Sequence, residues 1–216
     1  MNKITFQHTL SVLLLGSLAS LHSLAHAQTS KHILSEPSAE AQTAKDARSM
    51  PRYLLQNGRG RAVMTEDFKN RFQLIAFGFL GCPDVCPTTM LEMQQVLVAL
   101  GERAKQLQPI FISVDPERDT GPVLDAYTAN FDSRILGLTG SEKLVRWAAD
   151  NFKVQYEKVR EPGAAAGIYT MDHTAGMFLL GPDGQRIAKF AYGVPASSIV
   201  ADINRWMDLN DKLPRK

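Results

Sequence analysis

The only two cysteines of the chain, Cys82 and Cys86, lie where a predicted strand gives way to a predicted helix. They follow an apolar, β-like run from Leu74 to Phe79 and stand directly before Pro87, a residue suited to the start of a helix. Because the residue before a proline disfavours helical angles, we expect Cys86 at the N-cap and Cys82 about one turn upstream. A helix N-terminus lowers the pKa of a nearby thiol, so both sulfurs are expected to serve as nucleophiles or metal ligands.

The first 27 residues have the pattern of a secretory signal. Lys3 precedes an apolar region from about Leu10 to Leu24, and Ala25-His26-Ala27 forms an A-x-A cleavage site. The apolar region is too short and too interrupted for a comfortable membrane span of about 20 apolar residues. We therefore expect cleavage after Ala27 and a periplasmic protein, with an uncleaved inner-membrane anchor as the alternative.

Export changes what two cysteines are expected to do. In an oxidising compartment the default is a structural disulfide. A bridge from Cys82 to Cys86 would close so short a loop that it would stabilise the fold little. The pair is therefore better interpreted as a redox or metal-binding group, and we expect a reversible disulfide whose reduction frees both sulfurs for a metal.

His173 is the only histidine of the predicted domain, residues 51–211. It lies in Met171-Asp172-His173-Thr174, between two extended segments, and is expected close to the cysteine loop. Two thiolates and one imidazole form a soft donor set suited to Cu(I), with an open position for Cu(II) or for a transfer partner. Structural zinc normally takes four ligands, and no fourth is evident. A lone histidine is more often an ordinary polar residue, so these residues alone leave its role open.

Charge and composition argue against a nucleic-acid partner. The formal net charge is +2, acidic and basic residues are interspersed, and no basic stripe with interleaved aromatic residues is present. Residues 28–50 are rich in Ala, Ser, Thr and Lys without an apolar period, which predicts a flexible linker.

The order of predicted elements favours an α/β fold. The first half is expected to contain a β-hairpin from Tyr53 to Met64, a capped turn from Thr65 to Phe68, a buried strand from Gln73 to Phe79 and a helix from Pro87 to about Leu107. A strand from Pro109 to Val114 and a helix capped by Asp119 or Thr120 and ending near Asn130 are expected next. The second half is expected to contain a strand from Arg134 to Leu138, a helix capped by Ser141 and ending near Phe152, a strand from Val154 to Val159, extended segments from Ile168 to Met171 and Gly176 to Leu180, a strand from Arg186 to Tyr192 and a helix from Pro195 to Leu209. This order predicts a mixed central sheet flanked by helices, with an N-terminal β-hairpin. A strand leading to paired cysteines at a helix start, with a late hairpin, is typical of a thioredoxin-like fold.

Four stretches distributed over the domain carry a family resemblance. They are FGFLGCPDVCPTTM (77–90), ISVDPERDT (112–120), LGLTG (136–140) and YTMDHTAGMFLLGPDG (169–184). In these stretches the chain resembles the Sco/SenC family of copper-binding, thioredoxin-fold proteins that help to assemble the dinuclear copper site of cytochrome c oxidase. The resemblance extends from about Tyr53 to Leu209, and CPDVCP followed at a distance by DH is specific, whereas a lone C-x-x-x-C is not.

The resemblance implies that Cys82, Cys86 and His173 bind copper. Asp84, between the cysteines, and Asp172, before the histidine, are expected beside the ligands. Asp84 either orients the loop, contacts the metal or is an ordinary turn residue. The chain departs from the family at Leu80, where a threonine is common, and this difference bears on the hydrogen bonding of the loop and not on the ligands.

Three functions remain open at this point. They are a copper chaperone, a thiol–disulfide oxidoreductase that reduces the cysteines of the oxidase copper site, and a redox or copper sensor. The C-x-x-x-C spacing differs from the C-x-x-C of thioredoxins, and Ala175 stands where those enzymes usually carry a cis-proline. Both features favour a metallochaperone over an enzyme.

The expected partners follow from that interpretation. They are the copper-site subunit of cytochrome c oxidase and either a thiol reductant or an upstream copper chaperone, and we expect the protein itself to be a monomer. The turn from Asp115 to Asp119 is interpreted either as a scaffold for the cysteine loop or as a docking surface.

Overall fold

The computed structural model describes residues 50–165 and 167–212. The predicted signal sequence (1–27) and all of the predicted linker (28–50) except its last residue lie outside the described residues. In the part that is described, no helix is long and apolar enough to cross a membrane.

The described residues form nine strands and four α-helices. The strands are β1 (Leu54–Gln56), β2 (Ala62–Met64), β3 (Phe72–Gly78), β4 (Leu107–Ser113), β5 (Leu136–Leu138), β6 (Tyr156–Val159), β7 (Thr170–His173), β8 (Met177–Leu180) and β9 (Arg186–Phe190). The helices are α1 (Val85–Leu100), α2 (Gly121–Ala129), α3 (Glu142–Phe152) and α4 (Ala196–Asp211). Thr65–Phe68 and Gly101–Gln106 form 3-10 turns.

The central sheet is mixed, with the strand order β5-β4-β3-β8-β9. β3, β4 and β5 run parallel, while β8 is antiparallel to β3 and β9 is antiparallel to β8. Every residue of β3 and of β4 is buried, as expected of parallel strands that are covered on both faces. The predicted α/β, thioredoxin-like architecture is confirmed, and so is the N-terminal hairpin, in which β1 and β2 pair antiparallel.

Aromatic packing joins the sheet to α3. Phe77 of β3 and Phe178 of β8 both contact Phe152 at the end of α3, with ring centroids 5.3 and 5.4 Å apart. The three rings are buried and meet in tilted or edge-to-face geometry, which aromatic pairs prefer. Phe77 thus anchors β3, the strand that leads to the cysteines, in this aromatic cluster.

Helix α1 differs from its prediction at both ends. It begins at Val85 with Asp84 at the N-cap, two residues before the expected position, so Pro87 is its third residue. The N–H groups of the first turn have no partner within a helix, so a proline there removes no hydrogen bond. The helix ends at Leu100 and not near Leu107, because Gly101 adopts a φ of 54°, a conformation that glycine tolerates best.

The strand that carries the histidine belongs to a separate small sheet. β6 and β7 pair only with each other in the described chain, and Tyr156 stands opposite His173 in the register. The sequence indicated extended segments here but not their pairing, and β7 reaches His173 where the prediction ended at Met171. We call β6 and β7 together the histidine hairpin.

Candidate metal centre

The cysteine loop connects the end of β3 to the first turn of α1. The N–H of Cys82 donates to the Phe79 carbonyl (3.3 Å), and the N–H of Cys86 donates to the Cys82 sulfur (3.4 Å). Asp84 stands at the N-cap but forms no capping hydrogen bond with its side chain. The sulfur of Cys82 therefore satisfies one of the free N–H groups at the positive end of the helix.

The absence of a side chain at Gly78 leaves space for the Cys86 sulfur. A β-carbon at this position would stand 2.7 Å from the Cys86 sulfur and 2.8 Å from the Phe111 ring. Atoms of these kinds cannot approach so closely, so a side chain at residue 78 would displace the sulfur or the ring. The close approach of β3 to α1 thus depends on a glycine, a role that no sequence pattern indicated.

The environment of Cys86 contradicts the pKa lowering expected for it. Cys86 is the second residue of α1 and only 2% exposed. Burial raises the pKa of its thiol far above the ordinary value, and the nearby Cys82 and Asp119 act in the same direction. A hydrogen bond with the Phe79 backbone opposes this rise without cancelling it. The expectation was wrong because it considered the helix terminus and not the desolvation of a buried sulfur.

His173 reaches the cysteine loop from the end of the histidine hairpin. Its Nε2 lies 3.6 Å from the Cys86 sulfur, and its Nδ1 lies 3.1 Å from the Thr174 carbonyl oxygen. A carbonyl oxygen can only accept, so Nδ1 is the nitrogen that donates, and in the tautomer with its proton on Nδ1 the lone pair of Nε2 faces the sulfur. The Phe79 ring and the imidazole meet edge to face, with their centroids 5.9 Å apart.

The structure thus places two of the three predicted ligands in side-chain contact. The third contacts them only through a backbone N–H. Cys86 and His173 are in contact, while Cys82 is half-buried and touches the pair through the Cys86 N–H. Both cysteines are free thiols. Among the described residues, no three His, Cys, Asp or Glu side chains form a ready-made cluster for a metal ion. Two sulfurs and one imidazole nitrogen nevertheless have the soft donor chemistry that suits copper.

The two predicted neighbouring carboxylates lie at the surface. Asp84 is exposed at the N-cap of α1, and Asp172 is exposed on β7, where it faces Glu157 in the register. Neither carboxylate forms a hydrogen bond with the cysteines or with His173 in the described chain. Asp172 lines a surface cleft together with His173 and Tyr156. A role of either aspartate beside the ligands stays a prediction.

A buried carboxylate holds the cysteine loop from the side. Asp119 accepts hydrogen bonds from the Leu80 N–H (3.0 Å) and from the Ser113 hydroxyl (2.6 Å), and it is 2% exposed. At Leu80, where the family commonly has a threonine, the loop is therefore hydrogen-bonded through the backbone N–H and not through a side chain. The turn from Asp115 to Asp119 had been singled out in the sequence, but nothing in the sequence indicated that Asp119 contacts this loop.

Comparison with known proteins gives one consistent result. The sequence model of the SCO1/SenC family matches residues 41–208. The chain is 36% identical over 151 residues to the human "Protein SCO2 homolog, mitochondrial". The aligned region covers 69% of this chain and 56% of the human protein. The chain spans between 56% and 63% of the length of the curated relatives that head this comparison.

Solved structures agree with the sequence relatives. The structure of Bradyrhizobium japonicum ScoI with copper bound is similar at a TM-score of 0.66 and 37% identity, over 72% of this chain and 97% of that one. A second similar structure is that of BsSco, with a TM-score of 0.57 and 25% identity over 76% of this chain and 95% of that one. BsSco is a member of the Sco family of cytochrome c oxidase assembly proteins in which a disulfide switch was identified. By the extent of the family match and the agreement of the folds, this chain belongs to the SCO1/SenC family.

Proposed function

We propose that this protein is a periplasmic copper chaperone that binds Cu(I) and Cu(II) through Cys82, Cys86 and His173 and assists assembly of the dinuclear copper site of cytochrome c oxidase. The observation that carries the proposal is the 3.6 Å contact between the Cys86 sulfur and His173 Nε2, which joins two elements distant in sequence. The copper bound in the related ScoI structure supports the same chemistry.

The three side chains have different parts in holding the ion. Cys86 is buried and loses its proton when the metal arrives, because only a thiolate ligates and the positive ion offsets the cost of a buried charge. His173 presents the lone pair of Nε2 while its Nδ1–H is held by the Thr174 carbonyl. Cys82 is the more exposed sulfur, which makes it the ligand that a donor or recipient protein reaches first.

A thiol–disulfide oxidoreductase is the second candidate, and a specific arrangement favours it. The two free thiols lie in one turn of chain, with the Cys82 sulfur accepting the Cys86 N–H. Such a pair can lose two electrons and two protons to a disulfide of a partner, or regain them from a dithiol. The disulfide switch identified in the related BsSco is consistent with this chemistry.

Removal of the histidine separates the two functions. His173→Ala deletes one of three metal ligands but neither thiol, so we expect it to keep cycling Cys82 and Cys86 between dithiol and disulfide. It should lose the thiolate-to-Cu(II) charge-transfer absorption and bind Cu(I) at least about 10 to 100 times more weakly. Cys82→Ser and Cys86→Ser should each abolish both behaviours. Glu157→Gln, an exposed substitution on the paired strand, serves as the matched control and should bind copper like the wild type.

The measurements are Cu(I) competition titrations of the reduced protein, Cu(II) absorption spectra and equilibration with a dithiol redox buffer. If His173→Ala bound both copper states like the wild type while losing activity on a disulfide substrate, the oxidoreductase function would replace the chaperone function. Stoichiometric copper on fully oxidised protein without free thiols would also contradict the proposed ligand set.

The proposed location rests on the sequence of residues 1–27. Its A-x-A site favours cleavage after Ala27 and release into the periplasm, where a thiol reductant or an upstream copper chaperone would act before the oxidase subunit. N-terminal sequencing of the mature protein should begin at Gln28. Retention of Lys3 in a membrane fraction would show an anchored protein instead.

A further inference from the structure

The two parts of the candidate metal centre share no backbone pairing. The cysteine loop follows β3 of the central sheet, whereas His173 ends β7 of the separate histidine hairpin. Their direct contacts are the Cys86–His173 pair and the edge of the Phe79 ring. A nitrogen that binds the same metal ion as two sulfurs must stand at a defined distance from both, and this needs a firmer attachment than these two contacts supply.

The turn from Asp115 to Asp119 is tied to the cysteine side. Asp119 accepts the Leu80 N–H at 3.0 Å, so one end of the turn is fixed to the loop just before Cys82. The Arg118 guanidinium lies 6.0 Å from the centroid of the Phe79 ring, which itself contacts His173. The carboxylates of Asp115 and Asp119 are buried, at 1% and 2% exposure, so this turn does not present them to a docking partner.

The same turn is tied to the histidine hairpin through Tyr169. The Tyr169 hydroxyl donates to Asp115 (2.9 Å), and Arg118 donates to the Tyr169 carbonyl oxygen (2.9 Å). The Arg118 guanidinium stacks on the Tyr169 ring at 3.9 Å and is paired with the buried Asp115 carboxylate. Tyr169 directly precedes β7, so these contacts hold the strand that ends in His173.

We propose that Asp115, Arg118 and Tyr169 form a clamp that sets the position of His173 relative to Cys82 and Cys86. Arg118 and Tyr169 are positioning residues: they do not touch the metal but hold the hairpin that carries its nitrogen ligand. This inference rests on the proposed metal ligation, and it assigns the turn from Asp115 to Asp119 to alignment of the site. Arg118 must both stack on a ring with a planar group and donate several N–H hydrogen bonds. A lysine ammonium cannot do both.

Substitution of the clamp residues tests the inference with copper as the probe. Arg118→Ala should weaken Cu(I) binding by about tenfold or more, the cost typical of losing a group that orients a ligand. It should also shift the thiolate-to-Cu(II) absorption and the Cu(II) EPR spectrum. Tyr169→Phe keeps the ring and loses the hydroxyl bonds to Asp115 (2.9 Å) and to Glu117 (3.3 Å). This variant and Arg118→Lys should each give a smaller change in the same direction.

The matched control is Arg205→Ala on α4. Arg205 also pairs with an aspartate, Asp202, and also lies over an aromatic ring, that of Trp206, but it belongs to another part of the fold. It should leave copper affinity and both spectra unchanged. The reduction potential of the Cys82–Cys86 pair should likewise be unchanged in Arg205→Ala.

The outcomes distinguish a failure of the clamp proposal from a failure of the proposed function. If Arg118→Ala and Tyr169→Phe lower only the thermal stability and keep wild-type copper affinity and spectra, the clamp is overturned and the residues are structural. If His173→Ala, measured in parallel, also binds copper like the wild type, the ligand assignment itself fails. A further readout needs no metal, because the His173 ring resonances in the NMR spectrum of the reduced protein should shift in Arg118→Ala and not in Arg205→Ala.

Discussion

The cysteine loop and the histidine hairpin supply the same candidate site but are anchored in different ways. The loop rises from β3, a wholly buried strand with a neighbour on each side. The hairpin has two strands of four residues each, and Glu157, Lys158, Thr170 and Asp172 are exposed. Two-stranded hairpins are marginal in isolation, so this one depends on side-chain contacts with the rest of the domain.

The difference indicates how the two kinds of candidate ligand respond to change. The sulfurs are placed by the core, so they should move only when the core is disturbed. The imidazole is placed by contacts such as the stack of Arg146 on Tyr156, 3.5 Å from the ring centroid, and by the clamp. Local opening of the hairpin can therefore uncouple His173 while the sheet remains folded.

The largest expected effect comes from the aromatic core beneath the cysteine loop. Phe152→Ala removes a ring that contacts both Phe77 and Phe178, and we expect a loss of about 3–5 kcal/mol in the free energy of unfolding. Denaturant unfolding measures this loss. Trp147→Ala on the same helix is the control, because Trp147 is 43% exposed and should cost less than about 1 kcal/mol. Equal losses in the two variants would contradict the anchoring of the loop by this core.

A smaller change at Gly78 tests the core-anchored side of the site directly. Gly78→Ala places a β-carbon 2.7 Å from the Cys86 sulfur, so we expect a loss of about 1–3 kcal/mol in the free energy of unfolding, together with weaker Cu(I) binding. Gly81→Ala in the same loop is the control, since its β-carbon would meet no atom closer than 3.6 Å. The interpretation fails if both variants retain wild-type stability and copper affinity.

The two sulfurs should differ in reactivity even though they share one loop. Cys86 is buried and its thiol pKa is raised chiefly by desolvation, whereas Cys82 is partly exposed. Because the thiolate is the reactive form, we expect iodoacetamide to modify Cys82 at least about ten times faster than Cys86 at pH 7. Mass spectrometry of the reduced protein measures both rates, with Cys82→Ser to isolate Cys86. Comparable rates would show that the Cys86 sulfur is accessible in solution.

Much of the fold was predictable because local signals agreed with tertiary packing. Ser141 caps α3 as predicted, its side chain accepting the Leu144 N–H at 3.3 Å. The continuous apolar runs of β3 and β4 identified buried strands. The start of α1 was misplaced because proline is tolerated throughout the first helical turn, so Pro87 alone does not define the N-cap.

The residue types of the candidate site can be recognised in the sequence, but the contacts that hold them in place cannot. The pairing of Tyr156 with His173 and the contact of Arg118 with Tyr169 join segments far apart in the chain, and no local pattern encodes them. The direction of the Cys86 pKa shift was missed for the same reason, since its burial comes from the packing of α1 against β3. Recognising cysteines and a histidine requires only their types, whereas their environment requires the fold.

The smallest expected effect concerns the exposed edge of the hairpin. Lys158 of β6 pairs with Glu117 at 2.7 Å, and this hydrogen bond lowers the pKa of the Glu117 carboxyl below its ordinary value. A group with a lowered pKa stabilises the folded state above its unfolded pKa, about 4.3, and loses this contribution as the pH falls through the folded value. The tie between the turn and the hairpin should therefore be intact at pH 7 and lost in strong acid.

NMR chemical shifts of the Lys158 and Val159 amides between pH 7 and pH 3 measure this tie. Because the hairpin carries two further carboxylates, Glu157 and Asp172, Glu117→Gln is the necessary control, and only the difference between the two proteins reports on the ion pair. We expect a titration step in the wild type that is absent from the variant and smaller at high salt, since exposed pairs are screened. Identical titration of the two proteins would show that the exposed ion pair does not hold the hairpin and that its attachment rests on the clamp and the Arg146 stack.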